Sequence, residues 1–119
     1  MDELDKISQV AIIINNNRQV LVKKENALSL PRADLGLGEN PKDSLSNFIE
    51  KEFGIRVSDI EVAGVNLDEP GIVTLVYSCK SENFSNTNLT WLPIESPGQS
   101  LEPVSAKILE DYKKNHQSI

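Results

Sequence analysis

The chain has 119 residues and a formal net charge of −6, with 39% hydrophobic and 25% charged residues. This length favours one domain, residues 1–119, with a core that needs no disulfide staples. The acidic balance and the lack of a basic patch argue against binding to duplex nucleic acid. The longest apolar run, at 10–14, is too short to cross a membrane, and MDELDKISQ at the N-terminus is unlike a signal peptide. We therefore expect a cytoplasmic protein.

A β-hairpin is predicted at the start of the chain. The β-branched run at 10–14 ends at the triplet NNN, and asparagine tolerates the backbone of a turn. Residues 19–23 are predicted to form the return strand. Residues 25–41 are predicted to be a structured loop, because prolines and glycines break any regular element there.

The clearest helix is predicted over 41–53. Asn40 suits the N-cap, and Pro41 suits the first helical position. Asp43 favours the positive end of the helix dipole, and Gly54 is typical of a helix stop. The residues at helical spacing on one side are Leu45, Phe48, Ile49, Glu52 and Phe53. This stripe is apolar except at Glu52.

The second half of the chain is predicted to hold more strands and a terminal helix. Strands are predicted at 60–65, 72–79 and 89–94, with a turn at 68–71 and a polar loop at 81–88. The apolar spacing predicts a helix over 101–114 that packs on a sheet. Mixed elements around a central helix indicate an α+β fold, with helices layered on one sheet.

This element order resembles that of the Nudix family. The family signature is Gly, five free positions, Glu, seven free positions, Arg-Glu, an apolar residue, one free position, Glu-Glu, one free position, Gly and an apolar residue. The signature aligns with residues 33–55 without gaps. Several of its residues are replaced, so this segment is a degenerate Nudix box. The chain has Ala33 for the first Gly, Glu39 for the first Glu, Asn47-Phe48 for Arg-Glu, Lys51-Glu52 for Glu-Glu, and Gly54-Ile55 at the close. The segments LP at 30–31 and WLPI at 91–94 also resemble the family.

The resemblance implies an α/β/α sandwich around a mixed β-sheet. It also implies hydrolysis of a nucleoside diphosphate linked to another group, with Mg²⁺ or Mn²⁺ as cofactor. In the family pattern, positions 48, 51 and 52 would carry three carboxylates on one helix face. Here they are Phe48, Lys51 and Glu52, so one carboxylate remains. Mg²⁺ requires oxygen ligands, and an ammonium repels a dication.

The residues left for a site are few. Glu52 and Glu39 are the candidates for metal binding and catalysis if the protein is active. Arg32, Lys23 and Lys51 are the candidates for binding an anionic ligand without metal. Each of these cations has a plain surface role as its alternative. Lys51 is expected to pair with Glu52 or another nearby acid.

Two aromatic residues and one acid are assigned structural roles from the sequence. Phe48 is expected to extend the core stripe of the helix, and Trp91 to lie in the core or at its edge. Glu50 points away from positions 48 and 52 and is expected to be a solvated surface residue.

Three functions stay open at this stage. The first is a Nudix-fold binding or regulatory module for a nucleotide-like ligand, without normal metal-dependent hydrolysis. The second is an active hydrolase whose rearranged metal site uses Glu39, Glu52 and acids from loops, for which the candidates are Glu69, Glu82 and Glu95. The third is a structural or protein-interaction role, with a protein partner or a homodimer. Fold alone does not choose among them.

Overall fold

The computed structural model describes residues 6–24, 28–36, 38–81, 89–93 and 101–116. Its strands are β1 Lys6–Ile14, β2 Gln19–Lys24, β3 Leu28–Ser29, β4 Arg32–Leu35, β5 Ser58–Asn66, β6 Ile72–Lys80 and β7 Leu89–Pro93. Its helices are α1 Pro41–Phe53 and α2 Pro103–His116. The expected α+β class is confirmed. Residues 82–88 of the predicted loop at 81–88 lie outside the described residues, as does Ile94 at the end of the last predicted strand.

All the strands form one mixed sheet around β1. The order along the sheet is β3-β2-β1-β6-β5, while β4 pairs with β1 and β7 pairs with β2. The β1–β6 pairing is parallel and runs from Lys6 beside Ile72 to Ile14 beside Lys80, whereas the other pairings are antiparallel. The predicted hairpin is confirmed, since β1 and β2 pair antiparallel at Ile14 and Val20.

The prediction of a loop over 25–41 was wrong in part, because β3 and β4 lie within it. The strand β4 pairs with β1 from Leu35 beside Ile7 to Arg32 beside Val10. This pairing is non-local, and four residues next to a proline give little strand signal of their own. The first strand also begins at Lys6, earlier than the predicted run at 10–14.

The core lies in two layers, one on each face of the sheet. We call the faces the α1 face and the α2 face after the helices that cover them. Successive residues of β1 alternate between the layers, as expected for a strand. The α1 layer is built around Ala11, Ile13, Leu21, Leu45, Ile49, Phe53, Ile55, Tyr77, Cys79 and Leu89. The α2 layer is built around Val10, Ile12, Val20, Val22, Leu30, Val76, Ile108 and Leu109.

Helix α1 has the bounds predicted from the sequence, because its ends are fixed by local chemistry. The Oδ1 atom of Asn40 accepts a hydrogen bond of 3.2 Å from the backbone N–H of Asp43, which caps the first turn. Gly54 follows the helix with a φ of 72°, a left-handed conformation that glycine adopts without strain. Within the described residues, neither helix is long and apolar enough to cross a bilayer.

Candidate functional site

The last turns of α1 present the residues that occupy the family's metal positions. Leu45, Ile49 and Phe53 are buried against the sheet, so the remaining sides of the helix face outward. Lys51 and Glu52 are exposed, while Phe48 is half-buried beside the α1 layer. The ring of Phe48 meets the ring of Phe53 edge to face, with centroids 5.8 Å apart. The expected packing role of Phe48 is confirmed.

This turn does not fit a divalent metal of the expected kind. The Phe48 ring offers no oxygen, and Lys51 adds a positive charge beside Glu52. The expected pairing of Lys51 with Glu52 or another nearby acid was wrong, since neither Lys51 nor Glu52 makes an ion pair with a described residue. The physical reason is that consecutive helix residues point in different directions. No group of three acidic, histidine or cysteine side chains able to hold a metal occurs in the described part of the chain.

Glu39 is held by the loop that precedes α1. Its Oε1 atom accepts a hydrogen bond of 2.5 Å from the backbone N–H of Gly36, and its own backbone N–H donates to the Gly36 carbonyl at 3.2 Å. A Cβ atom at position 36 would collide with the same Oε1 atom. The carboxylate therefore closes a small turn before the helix, and the absence of a side chain at Gly36 makes room for it.

Glu50 and Glu69 are engaged elsewhere. Glu50 is exposed as expected, and its Oε1 atom lies 3.6 Å from the Nε atom of Arg56. The Oε1 atom of Glu69 lies 2.6 Å from a guanidinium nitrogen of Arg32. Glu82 and Glu95 lie outside the described residues.

Arg32 lies on the α2 face, opposite α1. It sits beside Val10 in the pairing of β4 with β1, and Val10 belongs to the α2 layer. Its Nε donates to the Ser8 hydroxyl at 3.2 Å, and its guanidinium also reaches the Thr74 hydroxyl at 3.4 Å. With Glu69 as a further partner, most of its donors are used inside the protein. This arrangement favours a structural role over capture of an external anion.

A second acid lies near this arginine. Glu102 caps the start of α2, accepting hydrogen bonds from the backbone N–H groups of Val104 and Ser105 and from the Ser105 hydroxyl. Burial alone would raise the pKa of Glu102. The hydrogen bonds from Ser105 and Val104, with the charge of Arg32, outweigh burial and lower that pKa. The carboxylate is therefore stabilised in its charged form.

Lys23 lies on the α1 face, unlike Arg32. It pairs with Leu89, and the neighbouring pair on that face is Leu21 with Trp91. Leu21 and Leu89 belong to the α1 layer, and Trp91 packs against it half-buried, at the core edge as expected. The structure thus brings Lys23, Trp91 and helix α1 to one side of the sheet and leaves Arg32 on the other.

The sequence analysis missed the buried polar residues of the sheet. Ser8 and Thr74 share a hydrogen bond of 2.9 Å across β1 and β6, beneath Arg32. Gln9 is fully buried on the α1 face and donates to the carbonyl of Pro41 at 2.7 Å, which ties the sheet to the start of α1. Ser8, Val10 and Ile12 are alternate residues of one strand pattern. This alternation was the signal from which the sequence could have placed Ser8 in the first strand.

Comparison with solved structures shows that the chain has the fold of Nudix hydrolases. A Chromobacterium violaceum protein named as a Nudix hydrolase family member matches 92% of this chain and 77% of its own, with a TM-score of 0.78 and 20% identity. A MutT Nudix hydrolase from Burkholderia pseudomallei matches 89% of this chain and 96% of its own, with a TM-score of 0.70 and 18% identity. These identities establish similarity of fold only.

A longer protein contains a similar unit. In a Sinorhizobium meliloti 1021 protein named as an oxidoreductase, the match has a TM-score of 0.76 and 21% identity. It covers 90% of this chain, which spans only 38% of that protein. Comparison of the sequence with family models and with curated proteins finds no match.

Proposed function

We propose that this chain is a Nudix-family domain that binds a nucleotide-like anion and lacks normal metal-dependent hydrolysis. The observation that carries the proposal is the exposed turn of α1, where Phe48 and Lys51 stand at two of the family's three carboxylate positions. An ammonium about 4 Å from a dication would cost roughly 4 kcal/mol per unit of metal charge at an effective dielectric near 20. The same ammonium attracts a phosphate.

The surroundings of this turn support an anion as the ligand. Lys23 lies on the same side of the sheet as α1, so this side of the molecule carries both Lys23 and the exposed Lys51. The half-buried rings of Phe48 and Trp91 belong to the same layer, and partly exposed aromatic faces suit stacking with a planar base. On this side of the molecule, lysines are suited to the phosphates of a nucleotide and aromatic rings to its base. A cytoplasmic location, where nucleotides are abundant, would suit this role.

The experiment is a pair of measurements on the full chain. Calorimetric titration with ADP in EDTA is expected to show binding without metal, and a pyrophosphatase assay with Mg²⁺ or Mn²⁺ is expected to show no turnover at ordinary enzyme rates, roughly 1 s⁻¹ or more. Lys51→Ala should weaken ADP binding about tenfold, which corresponds to about 1.4 kcal/mol. The matched control is Lys42→Ala, an exposed lysine at the opposite end of α1, and it should have no effect.

The alternative is an active hydrolase with a rearranged metal site. It is favoured by the exposure of Glu52, which makes no ion pair with a described residue and so remains available as a ligand. Mg²⁺ can bind through one or two carboxylates when water and substrate phosphate complete its shell. Glu52→Gln would then abolish a measurable activity. Metal-dependent turnover that disappears in this variant would replace the binding proposal with this one.

A further inference from the structure

The outer edge of β5 is exposed and apolar. β5 is the last strand in the sheet order, so the backbone groups on its outer side have no strand partner among the described residues. The described residues expose three large apolar side chains, and all belong to β5 or to the residue just after it: Val62, Val65 and Leu67, which are 64%, 54% and 68% exposed. An apolar strip along an open strand edge is typical of an interaction surface.

A β-bulge places the side chains of Val62 and Val65 on the same face of the sheet. Val62 pairs with Tyr77 and Val65 with Leu75, and both partners lie on the α1 face. In a regular strand, residues three apart point to opposite faces. The register shift between Val62 and Gly64 inserts Ala63 as an extra residue, which turns the two valines to the same side.

The spacing of the apolar residues is symmetric along the chain. Ile60 packs against the α1 layer, so apolar residues stand at 60, 62, 65 and 67. These positions are related by reversal about the peptide bond between Ala63 and Gly64. If two copies align their β5 strands antiparallel about this point, Val62 lies opposite Val65 of the second copy. Ile60 then lies opposite Leu67, and small residues meet at the centre.

The positions of the charged residues along β5 are compatible with the same alignment. Glu61 would lie opposite Asn66 of the second copy, so no acid faces an acid within 60–67. Asp59 and Asp68 would meet just outside this segment, where like charges would repel. Each already has a cation of its own: Asp59 lies 3.7 Å from Lys80, and Asp68 lies 2.9 Å from Lys107.

The sequence of the strand, SDIEVAGVN, holds no lysine, arginine or proline, residues that often protect a sheet edge. A bulge can also turn an edge away from a partner, but this bulge lies at the centre of the symmetric alignment, where small residues meet. We propose that two copies of this chain associate through β5 as an antiparallel, two-fold symmetric pair that joins their sheets. The interface is isologous, so each apolar position serves both copies. This inference does not depend on the ligand proposed for the α1 side.

Oligomeric state gives the first test. Sedimentation of the full chain over a range of concentrations is expected to show a reversible dimer, and Val62→Lys is expected to raise the dissociation constant at least tenfold. Because Val62 is 64% exposed, the variant should fold, which circular dichroism would verify. Ala106→Lys adds the same charge to an exposed position of α2 and should leave the dimer intact. A chain that stays monomeric at all concentrations, or a Val62→Lys variant that dimerises normally, would overturn the proposal.

Disulfide trapping tests the register. Directly opposed antiparallel residues have Cα atoms about 4.5–5.5 Å apart, within the disulfide range of about 4.4–6.8 Å. Val62→Cys mixed with Val65→Cys should therefore form a covalent dimer on mild oxidation with diamide. Either variant alone should not, because identical positions would be three residues, about 10 Å, apart along the strand. Equal cross-linking of a single variant with itself would exclude this register. The native Cys79 is buried, so the unmodified chain is the control.

Discussion

At position 51, one side chain changes the charge that the end of α1 presents to a ligand. Lys51 and Glu52 are both exposed at the surface of the helix. Beside them Phe48 contributes packing and no polar atom. A turn with one ammonium, one carboxylate and one ring has no net attraction for a dication, whereas three carboxylates there would have attracted one strongly.

Restoring the acids should restore metal affinity. We expect the double variant Phe48→Glu/Lys51→Glu to bind Mn²⁺ saturably, because it places three carboxylates at the i, i+3 and i+4 positions of one helix face. Electron paramagnetic resonance of free Mn²⁺ measures this directly, and the unmodified chain should leave the free signal unchanged. Lys42→Glu, which adds an acid at the other end of α1, is the control. Equal Mn²⁺ binding by the unmodified chain would contradict the account of this turn.

Arg32 should matter for stability and not for binding. Its guanidinium joins Glu69, Ser8 and Thr74 on the α2 face, and its removal leaves Glu69 without this cation and the two hydroxyls with only each other as partner. We expect Arg32→Ala to lower the free energy of unfolding by about 1–2 kcal/mol, a figure reduced because both charged side chains are partly solvated.

Urea denaturation would measure this change. The matched control is Lys6→Ala, which breaks an exposed pair with Asp34 at 3.6 Å and should cost less than about 0.5 kcal/mol. ADP affinity should be unchanged in Arg32→Ala. A stable variant that has lost ADP binding would assign Arg32 to the ligand site.

At the scale of the element, α1 is positioned by interactions at its start. Asn40 caps the backbone, Gln9 binds the Pro41 carbonyl from the sheet, and the Glu39 carboxylate closes the turn before it. These contacts fix the first turn of the helix relative to the sheet, and its last turns extend from there to the candidate site. The orientation of Lys51 and Glu52 follows from this start together with the buried stripe.

Loss of the cap should weaken the helix. Asn40→Ala removes the acceptor for the Asp43 N–H, and we expect a loss of about 1 kcal/mol in unfolding free energy. Asn40→Asp should retain most of the stability, because a carboxylate also accepts the bond and suits the helix dipole. Thermal melts followed by circular dichroism would compare the two. An alanine variant as stable as the aspartate variant would mean that the cap contributes little here.

At the scale of the whole molecule, Glu102 connects parts that are distant in sequence. Its backbone N–H donates to the Leu28 carbonyl at 2.8 Å, its carboxylate caps α2, and its charge faces Arg32. Ser105 in that first turn also accepts from the Leu30 N–H at 3.0 Å. The start of α2 is thus held to the sheet through charged and hydrogen-bonded groups.

This connection predicts how stability depends on pH. The folded pKa of Glu102 is lowered below its ordinary value of 4.5, so its contribution is fully present above that value and is lost as the pH falls through the folded pKa. We expect the melting temperature to fall as the pH drops below about 4.5. Glu102→Gln should be less stable at neutral pH and show a flatter acid slope. Glu110→Gln, at an exposed position of α2, is the control. An unchanged slope in Glu102→Gln would refute this linkage.

The part of the candidate site that lies on α1 was predictable from the sequence. The bounds of α1, its cap and the exposure of Glu50 depend on neighbouring residues, and local patterns record them. Arg32 was a different case. The sequence made it a candidate for binding an anionic ligand at the same site as Lys23 and Lys51, but the register of β4 against β1 turns its side chain to the α2 face.

The amino-acid sequence by itself determined the order of the two helices and of the strands other than β3 and β4, the ends of α1 and the replacement of carboxylates at positions 48 and 51. Each of these is set by residue identity or by contacts within a few positions along the chain. Only the tertiary structure decided that Arg32 and Lys23 lie on opposite faces, that Glu69 is bound by Arg32, and that a bulge aligns Val62 with Val65. These features depend on strand register, and register is fixed by pairing between segments far apart in the chain.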